Sequence, residues 1–491
     1  MIARRSTLGR AIAASGLVAF ASGCATFDIG DNVSWTNEEV VNFTDGGLEL
    51  ARTDAEREAR TRAAAQLLAE PLGRDEAVRL ALLNSPAIQT MLADNWAAGA
   101  DAAQSGRIPN PVFAFERLAT DDDAEVEIER LFAFGLLDVL TVPFKQRIAA
   151  RRIERSKLQL AAGVVDRVTE VRQAWVEAVA AQQTLTYVEQ VRESAAVTAE
   201  MARRMEAVGN FSRLARVRQQ IFYANATAEL AVARHQARAM RERLARLLGL
   251  DDTQVGQLVL PEQLPELPER PIQPAEIAET LNERRLDVRM ARAELEAAGS
   301  ARGLGRLTTF IDIEAGYRTA TVFTRDEGDG GALEPGADVG SESESASGYE
   351  LELEIPLFDW GGMQRAGLDA RSLAAANAYA GTLRSVGSSM RESYSAYRTG
   401  FDVARHYREE ILPLIETISE ENVLQYNGML IGVFELLADS RSAIEAVMAA
   451  IDAQAQFWSA EAALQASMTG RPMMATVAAT GGDGGGGDEE H

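Results

Sequence analysis

The stretch that most constrains the fold runs from Gly348 to Gly362 and reads GYELELEIPLFDWGG. Apolar residues stand at every second position from Tyr349 to Ile355, and glutamates stand between them. This is the pattern of a strand with one apolar and one polar face. After the Pro-Leu-Phe-Asp-Trp-Gly-Gly segment, a helical pattern begins and continues without a further strand to pair with. The sequence therefore predicts a strand that passes directly into a very long helix.

Composition argues against several classes of function. The chain has 491 residues, of which 46% are apolar and 25% charged, as in an ordered protein. Its formal charge of -24 argues against nucleic-acid binding, which needs a basic surface. With three His and one Cys, and no CxxC, HExxH, GxSxG or P-loop motif, the sequence offers no catalytic or metal-binding cluster. We expect no enzyme activity, no cofactor and no metal site.

The N-terminus has the pattern of an export signal. Arg4, Arg5 and Arg10 precede an apolar run from Ala11 to Phe20, and Ala21-Ser22-Gly23-Cys24 forms a small-residue processing site. Because this site ends in Cys, it resembles a bacterial lipobox, which implies removal of residues 1–23 and acylation of Cys24. A plain signal peptide with an incidental Cys24 is the alternative. No run of 18 apolar residues follows Gly23, so any membrane-spanning part is expected to be β-structure.

The rest of the chain reads as an internal duplication. Shifted by about 200 residues, Glu76, Ala93 and Gly99 meet Glu276, Ala293 and Gly299, and the order of predicted elements repeats. The predicted organisation begins with an N-terminal anchor and equatorial segment at 24–74. A first repeat follows at 75–250, with strands at about 110–118 and 125–136 and a helical hairpin at 145–248, and a Pro-rich equatorial linker occupies 251–274. The second repeat spans 275–470, with strands at about 309–323 and 349–358 and a helical hairpin at 363–468, and a disordered Gly-rich acidic tail is predicted at 471–491.

Along the strands of each pair, apolar and acidic residues alternate. Segments of about 10 such residues suit a transmembrane barrel. The acidic loops at 119–124 and 324–348 suit an exposed outer surface. Four strands cannot close a barrel, because about eight are needed, so several copies of the chain must share one. The acidic positions are Glu125, Glu127, Glu129, Asp312, Glu314, Glu350, Glu352 and Glu354.

A long helix follows each strand pair. In the first copy, Val168, Val171, Trp175 and Ala178 have the spacing of a coiled-coil seam, and a similar series begins at Leu383 in the second. The 63 residues from Lys145 to Ala207 would form a rod of about 95 Å. Each rod ends at a Gly-containing turn, and a returning helix follows it.

In the order of these parts, the chain resembles the TolC family of bacterial outer-membrane efflux proteins. The matching motifs are Asn84-Ser85-Pro86, the segment from Ile355 to Gly362, Ile411-Leu412-Pro413, and the tip Tyr426-Asn427-Gly428 followed by Glu435-Leu436-Leu437. Two segments depart from the family pattern. The junction from Leu136 to Phe144 lacks the usual Leu-Phe-x-Gly-Gly, and Arg284-Arg285-Leu286-Asp287 lacks the proline common at that place.

The resemblance implies a mainly α fold with a small β part, in which a long antiparallel coiled-coil barrel adjoins four transmembrane strands per chain. A homotrimer would form a 12-stranded β-barrel and a 12-helix tunnel. It would lie in the outer membrane of a Gram-negative bacterium, extend into the periplasm, and bind outer-membrane lipid and no nucleic acid. It would serve as the exit duct of a tripartite efflux or secretion system, with a periplasmic adaptor and an inner-membrane transporter as partners.

The resemblance also implies roles for particular residues. The eight acidic strand positions would line a negative pore, although they could equally just keep the lumen wet. Glu435 lies where the family has one of the acidic residues that constrict the periplasmic entrance. The next acidic position of the family falls at Ala438 here, one residue before Asp439. The alternative is that Glu435 and Asp439 are only solvated charges at the tip. The expected adaptor contacts are Gly209, Asn210, Phe211, Ser212, Arg213, Gly428, Met429, Leu430, Gly432, Val433 and Phe434.

The alternative function is a lipid-anchored periplasmic coiled-coil scaffold without channel activity. It accounts for the rods, but it leaves the alternating strands with edges exposed to water. The sequence does not indicate the cargo.

Overall fold

The computed structural model describes residues 27–41, 43–44, 47–119, 125–274, 285–308, 312–325, 341–354, 358, 360–428, 430–431 and 433–473. Within these ranges, the side chains of 306–308, 312, 325, 341–342, 354 and 433–438 lie outside the description. The chain is mainly helical with one small antiparallel sheet, which confirms the predicted fold class. Among the described residues, no helix is both long and apolar enough to cross a membrane.

The order of elements repeats once along the chain. The first part contains α1 (Ile29–Glu39), α2 (Asp54–Leu67), α3 (Arg74–Asn84), α4 (Pro86–Ser105), β1 (Val112–Ala119), β2 (Glu125–Gly135), α5 (Leu136–Ala207), α6 (Arg213–Leu248) and α7 (Asp252–Gln257). The second part contains α8 (Leu286–Thr308), β3 (Asp312–Arg325), β4 (Ser341–Glu354), α9 (Gly362–His406), a π-helical segment (Tyr407–Ile411), α10 (Leu412–Asn427) and α11 (Val433–Thr469).

The chain divides into two compact units. The first comprises Met1–Asp28, Trp96–Ser156 and Ala291–Ala380, and it contains the sheet. The second comprises Ile29–Asn95, Lys157–Met290 and Gly381–His491, and it contains most of both helical hairpins. In the first unit, the helices that adjoin the sheet are tied by ion pairs on their surfaces, such as Arg151 with Glu296 at 3.1 Å.

The four strands form one sheet in the order β1-β2-β3-β4, with every neighbouring pair antiparallel. Phe132 on β2 lies opposite both Phe113 on β1 and Tyr317 on β3, and Tyr317 lies opposite Tyr349 on β4. Because opposed residues share a face, one row of four aromatic residues crosses one side of the sheet.

Several element boundaries differ from those predicted. The strand that was predicted to begin at 349 begins at Ser341, so residues 341–348 of the predicted loop pair with β3. This part was missed because its Ser and Glu residues lack the apolar alternation by which a strand is recognised. The first long helix begins at Leu136, nine residues before the predicted start at Lys145, and contains Pro143. α1 was not predicted within the polar N-terminal segment. In the expected disordered tail, Arg471 binds Asp166, with 2.8 Å between Nε and Oδ1.

The segment 75–105, which begins the first repeat, does not form one continuous helix; it forms two. Ser85 leaves the helical region with a ψ of 121°. The following Pro86 disfavours a helical conformation at the residue before it, and proline suits the first position of a new helix. Residues 1–26, which include the signal segment and Cys24, lie outside the described residues, and so do residues 275–284, with which the predicted second repeat begins.

The two repeats cap their returning helices by equivalent contacts. In the first, Asn84 donates a hydrogen bond from Nδ2 to the carbonyl oxygen of Gly249 at 2.8 Å, at the end of α6. In the second, Arg285 donates to the carbonyl oxygen of Ser467 at 2.7 Å, near the end of α11. Asp287 then accepts a hydrogen bond from the Val288 N–H at 2.8 Å. In both repeats, a side chain just before α4 or α8 thus donates to a carbonyl oxygen at the end of a returning helix.

We expect Gly249→Ala to destabilise the first of these caps by about 1–3 kcal/mol. Gly249 has a φ of +70°, and an added Cβ would lie 2.7 Å from the Ser85 Cα. Gly367→Ala is the matched control, because nothing lies within 4 Å of its added Cβ in a helix, where alanine is favoured. Chemical denaturation of both variants checks the prediction. Equal stability of the two variants would contradict it.

A buried charged network lies among the helices of the second unit. Glu461, 9% exposed, is 3.1 Å from Arg74. Arg172 donates to Gln465 at 2.8 Å and to the carbonyl oxygen of Phe43 at 2.9 Å. Burial raises the pKa of Glu461 above its ordinary value, although the charges of Arg74 and Arg172 oppose that shift. Desolvation prevails because the carboxylate is taken out of water on folding.

The raised pKa predicts a pH-dependent stability difference between the wild type and Glu461→Gln. A raised folded-state pKa stabilises the fold below the ordinary glutamate value, and this contribution is lost as pH rises through the folded pKa. The wild type minus variant difference in Tm should therefore fall as pH rises above the ordinary glutamate pKa. Thermal melts on both sides of that value test it; a difference that grows with pH would contradict the assignment.

Candidate functional site

The acidic side of the sheet carries a three-strand ion-pair bridge. Arg318 on β3 lies between Glu129 on β2 and Glu350 on β4. Its guanidinium is 3.2 Å from the Glu129 carboxylate and 3.1 Å from that of Glu350. The arginine therefore fixes two of the predicted pore carboxylates and offsets part of their charge. Its pairing was not predicted, since the sequence alone does not give the register between strands.

The strand register brings the predicted acidic residues together on this side. Glu314 lies opposite Glu352, and Asp312 lies opposite Glu354 at the end of the pairing, although these last two side chains are outside the description. The predicted pore residues with described side chains that the register places on this face are Glu125, Glu127, Glu129, Glu314, Glu350 and Glu352. Such a density of carboxylates suits contact with water and attracts cations. Their position in a pore stays a prediction.

The opposite side of the sheet carries several exposed apolar side chains. Tyr349 is 93% exposed, Leu351 70% and Phe113 66% in the single chain. The Tyr317 and Tyr349 rings lie 5.6 Å apart, within the aromatic row. A cluster of exposed apolar side chains of this kind is typical of a surface that contacts lipid or another protein.

The first hairpin ends in a well-defined turn. Gly209 adopts a φ of +79°, and the N–H of Asn210 donates to the carbonyl oxygen of Met205 at 2.9 Å, which closes α5. Ser212 accepts a hydrogen bond from the Ala215 N–H at 3.1 Å and caps α6. The predicted contact residues from Gly209 to Arg213 thus form a short, exposed or half-exposed turn between two helices.

The second tip is described in part. Leu430 is 78% exposed, and its N–H donates to the carbonyl oxygen of Gln425 at 2.8 Å, just past the helix end at Gly428. Met429 and Gly432 lie outside the described residues, and so do the side chains of the predicted Val433, Phe434 and Glu435. The predicted Glu435 constriction stays a prediction.

Asp439, the second predicted entrance residue, has a partner within its own hairpin. Asn422 on α10 donates from Nδ2 to Asp439 Oδ2 at 2.5 Å. This contact joins α10 to α11 behind the tip. Among the described residues, no group of three or more His, Cys, Asp or Glu is arranged to hold a metal ion.

Solved structures share this arrangement of sheet and hairpins. A membrane protein from Pseudomonas aeruginosa has a TM-score of 0.66 at 21% identity, covering 82% of this chain and 95% of that one. The outer membrane protein VceC from Vibrio cholerae has a TM-score of 0.64 at 16% identity, covering 83% and 96%. The CmeC outer membrane channel of Campylobacter jejuni has a TM-score of 0.65 at 15% identity, covering 81% and 85%.

These likenesses establish the fold of the chain. No protein-family model matches it, and no curated protein matches it in sequence. At 21% identity or less, the similar structures show that the chain has the fold found in outer-membrane channels.

Proposed function

We propose that this chain is one subunit of a homotrimeric outer-membrane channel, the exit duct of a tripartite efflux or secretion system. The proposal rests mainly on one observation: the sheet has two edge strands and carries aromatic residues on one face and glutamates on the other. Within the described residues, β1 and β4 each have a neighbouring strand on one side only. Edges of this kind need a partner, and closing several copies into a barrel supplies one.

The two faces of the sheet support the same conclusion. With the aromatic row outward, the apolar side contacts lipid, and the glutamates line a water-filled interior. Three copies supply twelve strands, as the resemblance to the TolC family implies. The helical hairpins extend into the periplasm. Their tips contact an adaptor protein, through which an inner-membrane transporter drives export, and acylation of Cys24 anchors the chain in the membrane.

The test is purification from outer-membrane fractions followed by measurement of mass and conductance. A channel gives heat-resistant trimers that conduct ions in a planar lipid bilayer. A chain that remains a soluble monomer once Cys24→Ala removes its lipid anchor would contradict the channel and favour a periplasmic scaffold.

Within this proposal, Arg318→Gln is expected to increase the cation selectivity of the channel by about two- to threefold. The substitution removes the cation that offsets Glu129 and Glu350. Glu350→Gln is the matched control of opposite sign, since it removes a carboxylate from the same bridge. Reversal potentials in a salt gradient give the permeability ratio. Equal shifts, or shifts of the same sign, would show that this bridge does not face the pore.

A further inference from the structure

Helix α6 carries apolar residues along two opposite sides. The inner side packs within the chain, where Ala226 forms a buried cluster with Val191 and Ala195 of α5. Along the other side runs a row of exposed residues at steps of 3, 4, 3 and 4, which we call the α6 stripe: Leu214, Val217, Ile221, Ala224 and Ala228. These steps are the spacing of a coiled-coil seam. The stripe therefore suits a second helix packed along it.

α6 is strongly basic, although the chain as a whole is acidic. It contains eight arginines and two glutamates, whereas the whole chain has a net charge of -24. Two α6 stripes would bring arginines against arginines, and opposing like charges disfavour such a contact. The stripe therefore requires a partner helix with negative charge.

The second hairpin presents such a helix. Residues 409–427 contain five glutamates and no basic residue. On α10, which ends this segment, Leu414, Ile418 and Leu424 are exposed in the single chain. Apolar side chains are thus exposed on both helices, and the charges around them have opposite signs. Such complementarity is typical of two surfaces that bind each other.

The two helices also match in level. The guanidinium carbon of Arg441 on α11 lies 4.7 Å from the ring centroid of Phe222 on α6, so the tips of the two hairpins lie at a similar height. Copies related by rotation about an axis along the helices keep these heights, and α6 of one copy then runs antiparallel to α10 of the next. Ile221 lies eight residues from the tip end of α6, and Ile418 lies nine residues from the tip end of α10.

We propose that the α6 stripe binds the acidic α10 helix of a second copy of this chain. Leu414, Ile418 and Leu424 pack along the stripe, and the glutamates of residues 409–421 lie near the arginines of α6. Because the two surfaces differ, the contact runs from each copy to the next and closes a ring, rather than joining two copies through the same surface. The inference rests on the proposed channel function. It adds the helices at which the copies meet outside the sheet, with charge deciding which helices pair.

The test is disulfide formation between copies in the membranes of cells that produce the full chain. Ile418→Cys is combined with Ile221→Cys, and in a matched control with Val232→Cys. Val232 is also exposed on α6, but it lies eleven residues, about 16 Å, further from the tip than Ile221. The first pair should give at least about fivefold more covalent oligomer than the control, since a disulfide needs Cα atoms within about 7 Å of each other.

Charge reversal tests the electrostatic part of the contact. Glu420→Arg/Glu421→Arg, introduced together with the Ile221→Cys/Ile418→Cys pair, should lower the cross-linked fraction at least about threefold, because it places basic residues beside a basic helix. Glu58→Arg/Glu70→Arg is the matched control. It reverses two exposed glutamates outside α6 and α10, and it should leave the cross-linked fraction unchanged.

Several outcomes would overturn this contact between copies. Equal yields from the two cysteine pairs would do so, as would a disulfide that forms within one chain or an unchanged yield after the reversal of Glu420 and Glu421. A covalent product with a different protein would assign the stripe to another partner. Heat-resistant trimers and conductance are measured in parallel: conducting trimers without these disulfides contradict only this contact, whereas absence of trimers and conductance contradicts the channel itself.

Discussion

Leu351→Lys is expected to prevent the protein from accumulating in the outer membrane as a heat-resistant oligomer, whereas Glu352→Lys should not. The two residues are consecutive on β4, so they point to opposite faces of the sheet. Leu351 lies opposite Ala315 on the side of the aromatic row, and Glu352 lies opposite Glu314 on the acidic side. If the face of Leu351 contacts lipid as proposed, a lysine on it costs about 2–4 kcal/mol per subunit near the membrane midplane.

The same substitution at Glu352 should be tolerated because it places a cation beside Glu314, on the face that we propose lines the aqueous interior. Membrane fractionation with unheated gel electrophoresis measures both variants. If Glu352→Lys were lost from the membrane and Leu351→Lys retained, the faces would be assigned the wrong way round. Equal behaviour of the two variants would contradict a sheet with one lipid face.

Arg285→Ala is expected to lower the free energy of unfolding by about 3–5 kcal/mol. Arg285 is buried, with its side chain 1% exposed, and its guanidinium is 2.8 Å from the Asp287 carboxylate. It also donates to the carbonyl oxygen of Ser467, so its removal leaves a carbonyl and a largely buried carboxylate without this partner. Chemical denaturation of the purified protein gives the change.

The double variant Arg285→Ala/Asp287→Asn separates charge from packing. Replacing the unpaired carboxylate of Asp287 should restore part of the lost stability, because much of the cost of breaking a buried ion pair comes from the charge that is left without its partner. The Asn side-chain oxygen can still accept the Val288 N–H that Asp287 accepts in the wild type. A double variant less stable than Arg285→Ala would contradict this role for Arg285.

The sequence was sufficient to predict the fold class, because its signals are periodic. Val168, Val171, Trp175 and Ala178, spaced as a coiled-coil seam, are all buried in α5. Leu383, the first residue of the corresponding series, is 49% exposed, because spacing alone does not show where a seam begins. The strand at Ser341 was missed because an alternation of Ser and Glu lacks the apolar residues that mark one face.

Contacts between distant parts of the chain were beyond sequence reasoning. The indole N–H of Trp175 donates to the carbonyl oxygen of Leu72 at 2.7 Å, a pairing between residues far apart in the chain. The bridge through Arg318 depends on strand register, which a single sequence does not give when turns are long.

A disulfide scan across the open sheet edges tests the central claim most directly. Phe115→Cys on β1 is combined in turn with a cysteine on the same face of β4, at Ser343, Ser345, Ser347 or Tyr349. Within one chain, β1 and β4 are separated by two strands, about 14 Å at sheet spacing, which exceeds the reach of a disulfide. A shared barrel predicts that at least one pair yields covalent trimers in the outer membrane. Monomers throughout the scan, in protein that is folded and membrane-bound, would contradict it.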